Sequence, residues 1–173
     1  MINIIKLLFI FFLEVSFTQC EEINFTKFNS YINKNVEHIR HELNRNSKIV
    51  LVPSHDPETY DEYLFLDEDG EIRMFLQKGR IKSIEISDDK KVKGIEYQIG
   101  DEFCKIISSN KKLNFNYDFT DGARARLIDQ DRNISYWFHA ENYLYDLYLN
   151  GAINKSNPGL CGMTIKSIQI GIN

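Results

Sequence analysis

The sequence predicts an α+β fold: one long N-terminal amphipathic helix packed on a long, curved antiparallel β-sheet. Three observations predict it. Between Glu21 and Arg45 the apolar residues Phe25, Phe28, Ile32, Val36, Ile39 and Leu43 recur at steps of three or four, a single stripe at helical period. Further on the period falls to two: Leu113, Phe115, Tyr117 and Phe119 alternate with Asn114, Asn116 and Asp118, giving one dry and one wet face. The connections between such runs are short and turn-rich, as in Asp88-Asp89-Lys90, Asp121-Gly122 and Asn150-Gly151, which suits an antiparallel meander.

Residues 1–20 read as a secretory signal peptide. Lys6 precedes an apolar run from Leu7 to Leu13, and small or polar residues follow. The run is short for a bilayer crossing, and no later segment reaches eighteen apolar residues. Cleavage after Gln19 or Cys20 fits best. The expected product is a secreted, extracellular protein without a stable membrane span, with residues 21–173 forming a single helix-plus-sheet domain.

The helix has Glu21 and Glu22 at its N-terminal end, where the helix dipole favours acids, and Pro53 limits its continuation. Ile49 to Val52 then forms a short strand-like run. Further strands are expected at Glu71–Leu76, Gly79–Ile86, Lys91–Ile99, Glu102–Ile107, Lys112–Phe119, Ala123–Ile128, Ile134–Ala140, Tyr143–Leu149 and Met163–Ile172. Ile81, Ile84 and Ile86 break the alternation by one step, which a β-bulge explains; Ile165, Ile168, Ile170 and Ile172 repeat the pattern.

The chain has 173 residues and a net charge of −4, with 43% hydrophobic residues. That fraction excludes wholesale disorder, and the acidity argues against a broad basic face for nucleic acid. Twelve Phe and nine Tyr against three Pro favour strands over Pro-rich linkers. Cleavage after Cys20 leaves Cys104 and Cys161, which either form a disulfide in an oxidising compartment or remain two buried thiols. Sequons begin at Asn24, Asn133 and Asn154; Asn133 and Asn154 are the glycosylation candidates, with Asn154 the better placed, beside turn residues.

Catalytic and metal chemistry finds little support. His38, His41 and Glu42 share a helical neighbourhood, but no fourth metal ligand is implied. Asp67-Glu68-Asp69-Gly70 lacks the distal Glu of a calcium loop. His55-Asp56 has no nucleophile elbow, and Cys104 with His139 has no supporting motif. No catalytic residue, cofactor or metal is therefore assigned. Arg124 and Arg126 share one strand face and could meet an anion, although a solvated face explains them equally. Tyr136-Trp137-Phe138 either packs the core or lines a cavity.

A helix laid on a curved sheet leaves room for an apolar slot. Its candidate ligand-binding lining is Phe28, Ile32, Val36, Ile39 and Leu43 from the helix, facing Leu113, Phe115, Tyr117 and Phe119. On periodicity alone the same residues more readily make a closed core, the default fate of apolar stripes.

The order of these features resembles the mite group 7 allergens and their insect relatives. The similarity rests on Ile32-Asn33-Lys34-Asn35-Val36-Glu37-His38-Ile39, on Ile49-Val50-Leu51-Val52-Pro53-Ser54-His55, and on the runs at 70–84, 113–119 and 163–168. It spans residues 28–172 as a pattern, without a diagnostic motif. That family is similar in fold to the lipid-binding modules of bactericidal/permeability-increasing protein and to takeout and juvenile-hormone-binding proteins. The resemblance implies a secreted, non-enzymatic carrier of lipid or another small hydrophobic ligand. Members carry a second long helix, and none is expected after the strand at 163–172, so a tunnel needing both would be open, shallow or absent. Cys104 and Cys161 do not match the N-terminal disulfide loop of the juvenile-hormone binders. The alternative is a secreted interaction or effector protein with a closed core whose partner is a host or extracellular protein.

Overall fold

Eight strands carry the architecture. The computed structural model describes residues 23–43, 50–53, 62–65, 72–87, 91–118, 124–139, 146–147, 149–151 and 154–171. One antiparallel sheet contains β2 (Val50–Pro53), β3 (Glu62–Phe65), β4 (Ile72–Gln77), β5 (Arg80–Ser87), β7 (Asn114–Asp118), β8 (Arg124–Asp129), β9 (Ile134–His139) and β10 (Ile165–Ile170). Their spatial order is β2-β3-β4-β5-β10-β9-β8-β7. Two four-stranded meanders thus meet along a central seam between their last strands, β5 and β10. A separate parallel pair joins β1 (Ile23–Asn24) to β6 (Val92–Lys93). The signal-peptide segment lies outside the described residues.

Local chemistry sets the register. Lys78 (φ 52°) and Gly79 (φ 68°) join β4 to β5, a two-residue turn with both φ positive, whose twist matches the flanking strands. The two interrupted alternations are bulges. Phe75 pairs with Ser83 and Leu76 with Ile81, leaving Lys82 as the extra residue. Ile165 pairs with Phe138 and Ser167 with Trp137, leaving Lys166 extra. Each bulge bends its strand and adds twist at the centre of the sheet.

The long N-terminal helix of the sequence reading is not present. Two short helices replace it, α1 (Phe25–Asn29) and α2 (Val36–Leu43), and the fold is mostly β. Between them the chain turns onto the β4–β5 hairpin. Asn33 takes a left-handed φ of 67°. Its N–H donates to the Ile81 carbonyl at 2.7 Å, and the Ile81 N–H donates back to the Lys34 carbonyl at 3.0 Å. The Val36 N–H donates to the Gly79 carbonyl at 2.9 Å. Residues 29–35 include Asn29, Ser30, Asn33 and Asn35, whose short polar side chains compete for backbone groups and tolerate left-handed geometry. Asn24 Oδ1 accepts from Lys27 N–H, and Asn35 Oδ1 accepts from Glu37 N–H, so each short helix has its own cap. The stripe survives the break: Phe25, Val36 and Ile39 are buried, while Phe28 and Ile32 pack half-buried against the core.

One face of the sheet makes that core. Across it run Ile72, Ile86, Ile168, Tyr136, Leu127 and Phe115 in register. Covering this face is α3 (Phe103–Ser109), in the stretch 102–107 that reads as a strand in the sequence. Phe103 is fully buried and stands edge-on to Phe115 at 5.8 Å and to Phe138 at 5.2 Å. Burying such a ring contributes about 1.5–3 kcal/mol. Cys104 of α3 is bridged to Cys161 in the 3₁₀ turn Pro158–Gly162, with Cα atoms 4.7 Å apart, so the disulfide alternative holds. The Phe103 N–H also donates to the Met163 carbonyl at 2.9 Å, tying α3 to the approach of β10. Among the described residues no helix is long and apolar enough to cross a membrane.

Candidate functional site

The face of the sheet opposite the core carries the polar chemistry. Strand alternation puts Ser83, Glu85 and Ser87 of β5, Ser167 and Gln169 of β10, Ser135 and Trp137 of β9, and Arg124 and Arg126 of β8 on that face. Two cross-strand rows result. One runs Ser87, Ser167, Trp137, Arg126, Asn116; the other runs Arg73, Glu85, Gln169, Ser135, Ile128, Asn114.

Burial within the rows is graded. Ser83, Ser135, Ser167 and Gln169, on the central strands, are buried. Arg73, Phe75 and Glu85 on one side, and Trp137, Arg124 and Arg126 on the other, are half-buried. The hydroxyl and amide groups of the central strands are thus closed off from solvent, and longer half-buried side chains flank them on either side.

Buried polar groups are tolerated when they are hydrogen-bonded. Trp137 Nε1–H donates to Gln169 Oε1 at 2.9 Å, and Gln169 Nε2 donates to Ser83 Oγ at 3.1 Å. That chain ties β9, β10 and β5 together and holds the Gln169 amide in one orientation. Ser167 Oγ donates to Glu85 Oε1 at 2.8 Å, while Glu85 Oε2 lies 3.9 Å from Arg73 Nη1. The Arg126 guanidinium stacks over the Trp137 ring, 4.9 Å from its centroid. Ser135 Oγ is fully buried with no hydrogen-bond partner among the described residues. The half-buried Trp137 ring and the Arg124 and Arg126 guanidinium groups are the parts of the rows that reach the surface, and the Glu85 carboxylate is occupied by Ser167 and Arg73.

Other sequence candidates fall elsewhere. Leu113 is buried, Phe115 half-buried and Tyr117 39% exposed, all at the β7 edge. Phe28, Ile32, Val36 and Ile39 lie with α1 and α2 by the β4–β5 turn. The helix bearing Phe28 also contacts β10, and Phe28, Ile32, Val36, Ile39, Leu113 and Phe115 all pack in or against one continuous core. The Leu43 side chain and Phe119 lie outside the described residues. Leu113 borders a hollow of about 220 Å³ between residues 110–114 and 129–132, whose other lining residues are polar. His38 is exposed, and Glu42 Oε2 accepts a 2.9 Å bond from Tyr31 OH. Among the described residues no cluster of three His, Cys, Asp or Glu side chains could hold a metal. Cys104, being bridged, is no free nucleophile. His55-Asp56 and Asp67-Gly70 lie outside the described residues. Asn154 is exposed with its Oδ1 accepting from Ser156 N–H; Asn133 is half-buried in the β8–β9 turn at φ 58°.

Burial also raises three tyrosine pKa values. Tyr31 is pushed up to about 12 by burial and by its bond to Glu42. Tyr136 is raised by burial and by the nearby Asp129 charge; Tyr97, edge-on to it at 5.5 Å, is raised mainly by burial. All three are protonated donors near neutral pH, unsuited to act there as bases.

The sequence reading had Arg124, Arg126 and Trp137 in view but not Ser83, Glu85, Ser135, Ser167 or Gln169. Their signal was present as the polar half of each alternation: Glu85 between Ile84 and Ile86, Gln169 between Ile168 and Ile170, and Ser83, Ser87 and Ser167 each beside one isoleucine. No protein-family model, curated protein or solved structure matches this chain.

Proposed function

We propose that this protein is a secreted, non-enzymatic binding protein that recognises a polar ligand at the polar face of its sheet, beside Trp137. One observation carries the reading: the chain from Trp137 through Gln169 to Ser83, a pre-arranged line of polar groups with an indole at its end. Burial alone requires Gln169 and Ser83 to be bonded; what supports a binding role is that their line ends on the half-buried Trp137 indole, at the surface of that face. Binding sites gain affinity when their groups are held in place beforehand. The disulfide supports an oxidising compartment, and the N-terminal run of residues 1–20 supports export.

A hydrophobic ligand in a slot between helix and sheet has weaker support. Its lining residues Val36, Ile39 and Leu113 are buried in one continuous core, which Phe28, Ile32 and Phe115 pack against, as in a closed interior. A direct comparison tests the two readings. The secreted protein is presented to an array of glycans, polar peptides and nucleotides, and separately to a fluorescent fatty-acid analogue. Saturable array binding that weakens in Gln169→Ala and Trp137→Phe, with no fatty-acid binding, is expected. Saturable fatty-acid binding unaffected by either substitution would overturn the proposal in favour of the slot.

A further inference from the structure

We infer that the protein carries N-linked glycans at Asn24 and Asn154, and that the third sequon, at Asn133, stays bare; the inference rests on the export proposed above. The sequence alone favours Asn133 and Asn154, and the structure redraws that choice. Glycosylation uses two side chains of a sequon, the carboxamide that takes the sugar and the hydroxyl two residues on. The finished glycan is bulky and has to stay outside the fold. Asn24 and Thr26 are both exposed, as are Asn154 and Ser156. Asn133 is half-buried, and Ser135 is fully buried with its Oγ shut off from solvent.

Local geometry separates the three sites in the same way. Lys155, the middle residue of the Asn154 sequon, is half-buried and donates from Nζ to the Lys111 carbonyl at 2.7 Å and the Leu113 carbonyl at 2.6 Å. The Asn157 N–H donates to the Asn154 carbonyl at 3.1 Å, and Asn154 Oδ1 accepts from the Ser156 N–H at 2.9 Å. This sequon is therefore a hydrogen-bonded turn pinned by its central lysine, with exposed residues on either side of that lysine. At Asn24 the side-chain Oδ1 caps α1 by accepting from the Lys27 N–H at 3.2 Å. A glycan joins at Nδ2 and leaves that acceptor in place. Asn133 instead holds φ 58° in the β8–β9 turn, with its carbonyl accepting from the Gly171 N–H at 2.9 Å. The next two residues, Ile134 and Ser135, enter β9 at zero exposure. β7, β8 and β9 pair with their neighbours in sequence, so this meander can form as it emerges. Hairpins close in about 1–10 μs, whereas synthesis adds only about 5–20 residues per second. Pairing thus draws Asn133 and Ser135 into the fold early, while Asn24, Thr26, Asn154 and Ser156 remain outside it.

The donor is a lipid diphosphate-linked oligosaccharide of the secretory compartment. The Asn Nδ2 attacks the anomeric carbon of the donor sugar. A C–N bond forms as the C–O bond to the diphosphate breaks. The lipid diphosphate leaves with the electron pair, and Nδ2 gives up one proton, with no change of oxidation state.

The test translates the full chain in the presence of endoplasmic-reticulum microsomes. Protection from added protease reports translocation. Release of glycans by peptide N-glycosidase in heavy-oxygen water, followed by site-resolved mass spectrometry, marks each asparagine that carried one. Label is expected at Asn24 and Asn154 and not at Asn133. Thr26→Val and Ser156→Ala should each remove one glycan from the mobility of the intact chain, and Ser135→Ala should remove none. Thr26→Val leaves the Asn24 cap intact, and the unmutated chain carries the site-resolved test even where a variant folds poorly. Label at Asn133, or none at Asn24 or Asn154 in the protected chain, overturns the inference and leaves export standing. A chain that is not protected overturns export and the inference together.

Discussion

Gly171→Ala should be among the most damaging single-methyl changes in this protein. Gly171 follows β10 with φ 88° and donates its N–H to the Asn133 carbonyl at 2.9 Å. A Cβ there would sit 2.5 Å from the Lys82 carbonyl oxygen, 3.1 Å from Ser83 Cα and 3.1 Å from Ile32 Cδ1. Ile32 can rotate away. The Lys82 carbonyl belongs to the β5 bulge and cannot move without shifting the central seam. Two penalties add: about 1–2 kcal/mol for left-handed backbone with a side chain, and about 1–3 kcal/mol for overpacking against backbone. Reduced freedom of the unfolded chain returns about 0.4–1 kcal/mol. The net expectation is a loss of about 2–4 kcal/mol, a large share of the ~5–15 kcal/mol that holds a domain. Urea unfolding followed by Trp137 emission measures it. Gly100→Ala is the control, because Gly100 has φ 95° but no atom within 4 Å of its Cβ position, so backbone strain alone acts. Equal losses in the two variants would refute the contact argument at the bulge.

Three further outcomes follow from the same structure. Replacing Cys104 and Cys161 by Ser opens a loop of 57 residues and should cost about 4 kcal/mol by the chain-entropy relation, read from the urea midpoint of the double variant. Phe103→Ala removes a fully buried ring from between Phe115 and Phe138 and should cost about 3–5 kcal/mol, with a loss below 1 kcal/mol contradicting its place in the core. Tyr31 has a folded pKa of about 12 against an ordinary value near 10, so its contribution to stability is complete below pH 10 and declines as pH rises toward 12; Tyr31→Phe should flatten that alkaline decline in a pH series of thermal melts.

The strands were more legible in the sequence than the helices, for a physical reason. Alternation reports which side of a strand meets the core, and a one-step break in it has few causes; both breaks proved to be bulges, at Lys82 and Lys166. The helical stripe also reported correctly which side chains face inward. It says nothing about whether backbone hydrogen bonds continue, and at Asn33 to Asn35 they pass to the β4–β5 hairpin instead. The run 102–107 was ambiguous because a short apolar stretch suits either a buried strand or a helix facing the core. The hydrogen-bonded line from Trp137 to Ser83 was out of reach for a different reason. Trp137 and Gln169 lie 32 positions apart and Gln169 and Ser83 lie 86 apart, so only the pairing of two distant meanders brings them together.

That pairing also bears on how fast the protein can form. Each meander closes through nearby contacts, whereas the β5–β10 seam joins Glu85 to Ser167 across 82 positions. Searching for so remote a partner is the slow step for a β-rich chain. The Cys104–Cys161 bridge bypasses 57 of those 82 positions and leaves 25. The entropy of closing the seam then falls by about 1 kcal/mol, a several-fold acceleration if the seam forms in the rate-limiting step. The gain is realised only when oxidation precedes docking of the two meanders. A chain that acquires its disulfide before its meanders dock exposes its unpaired β5 and β10 edges for less time, and those edges are where one copy could pair with another.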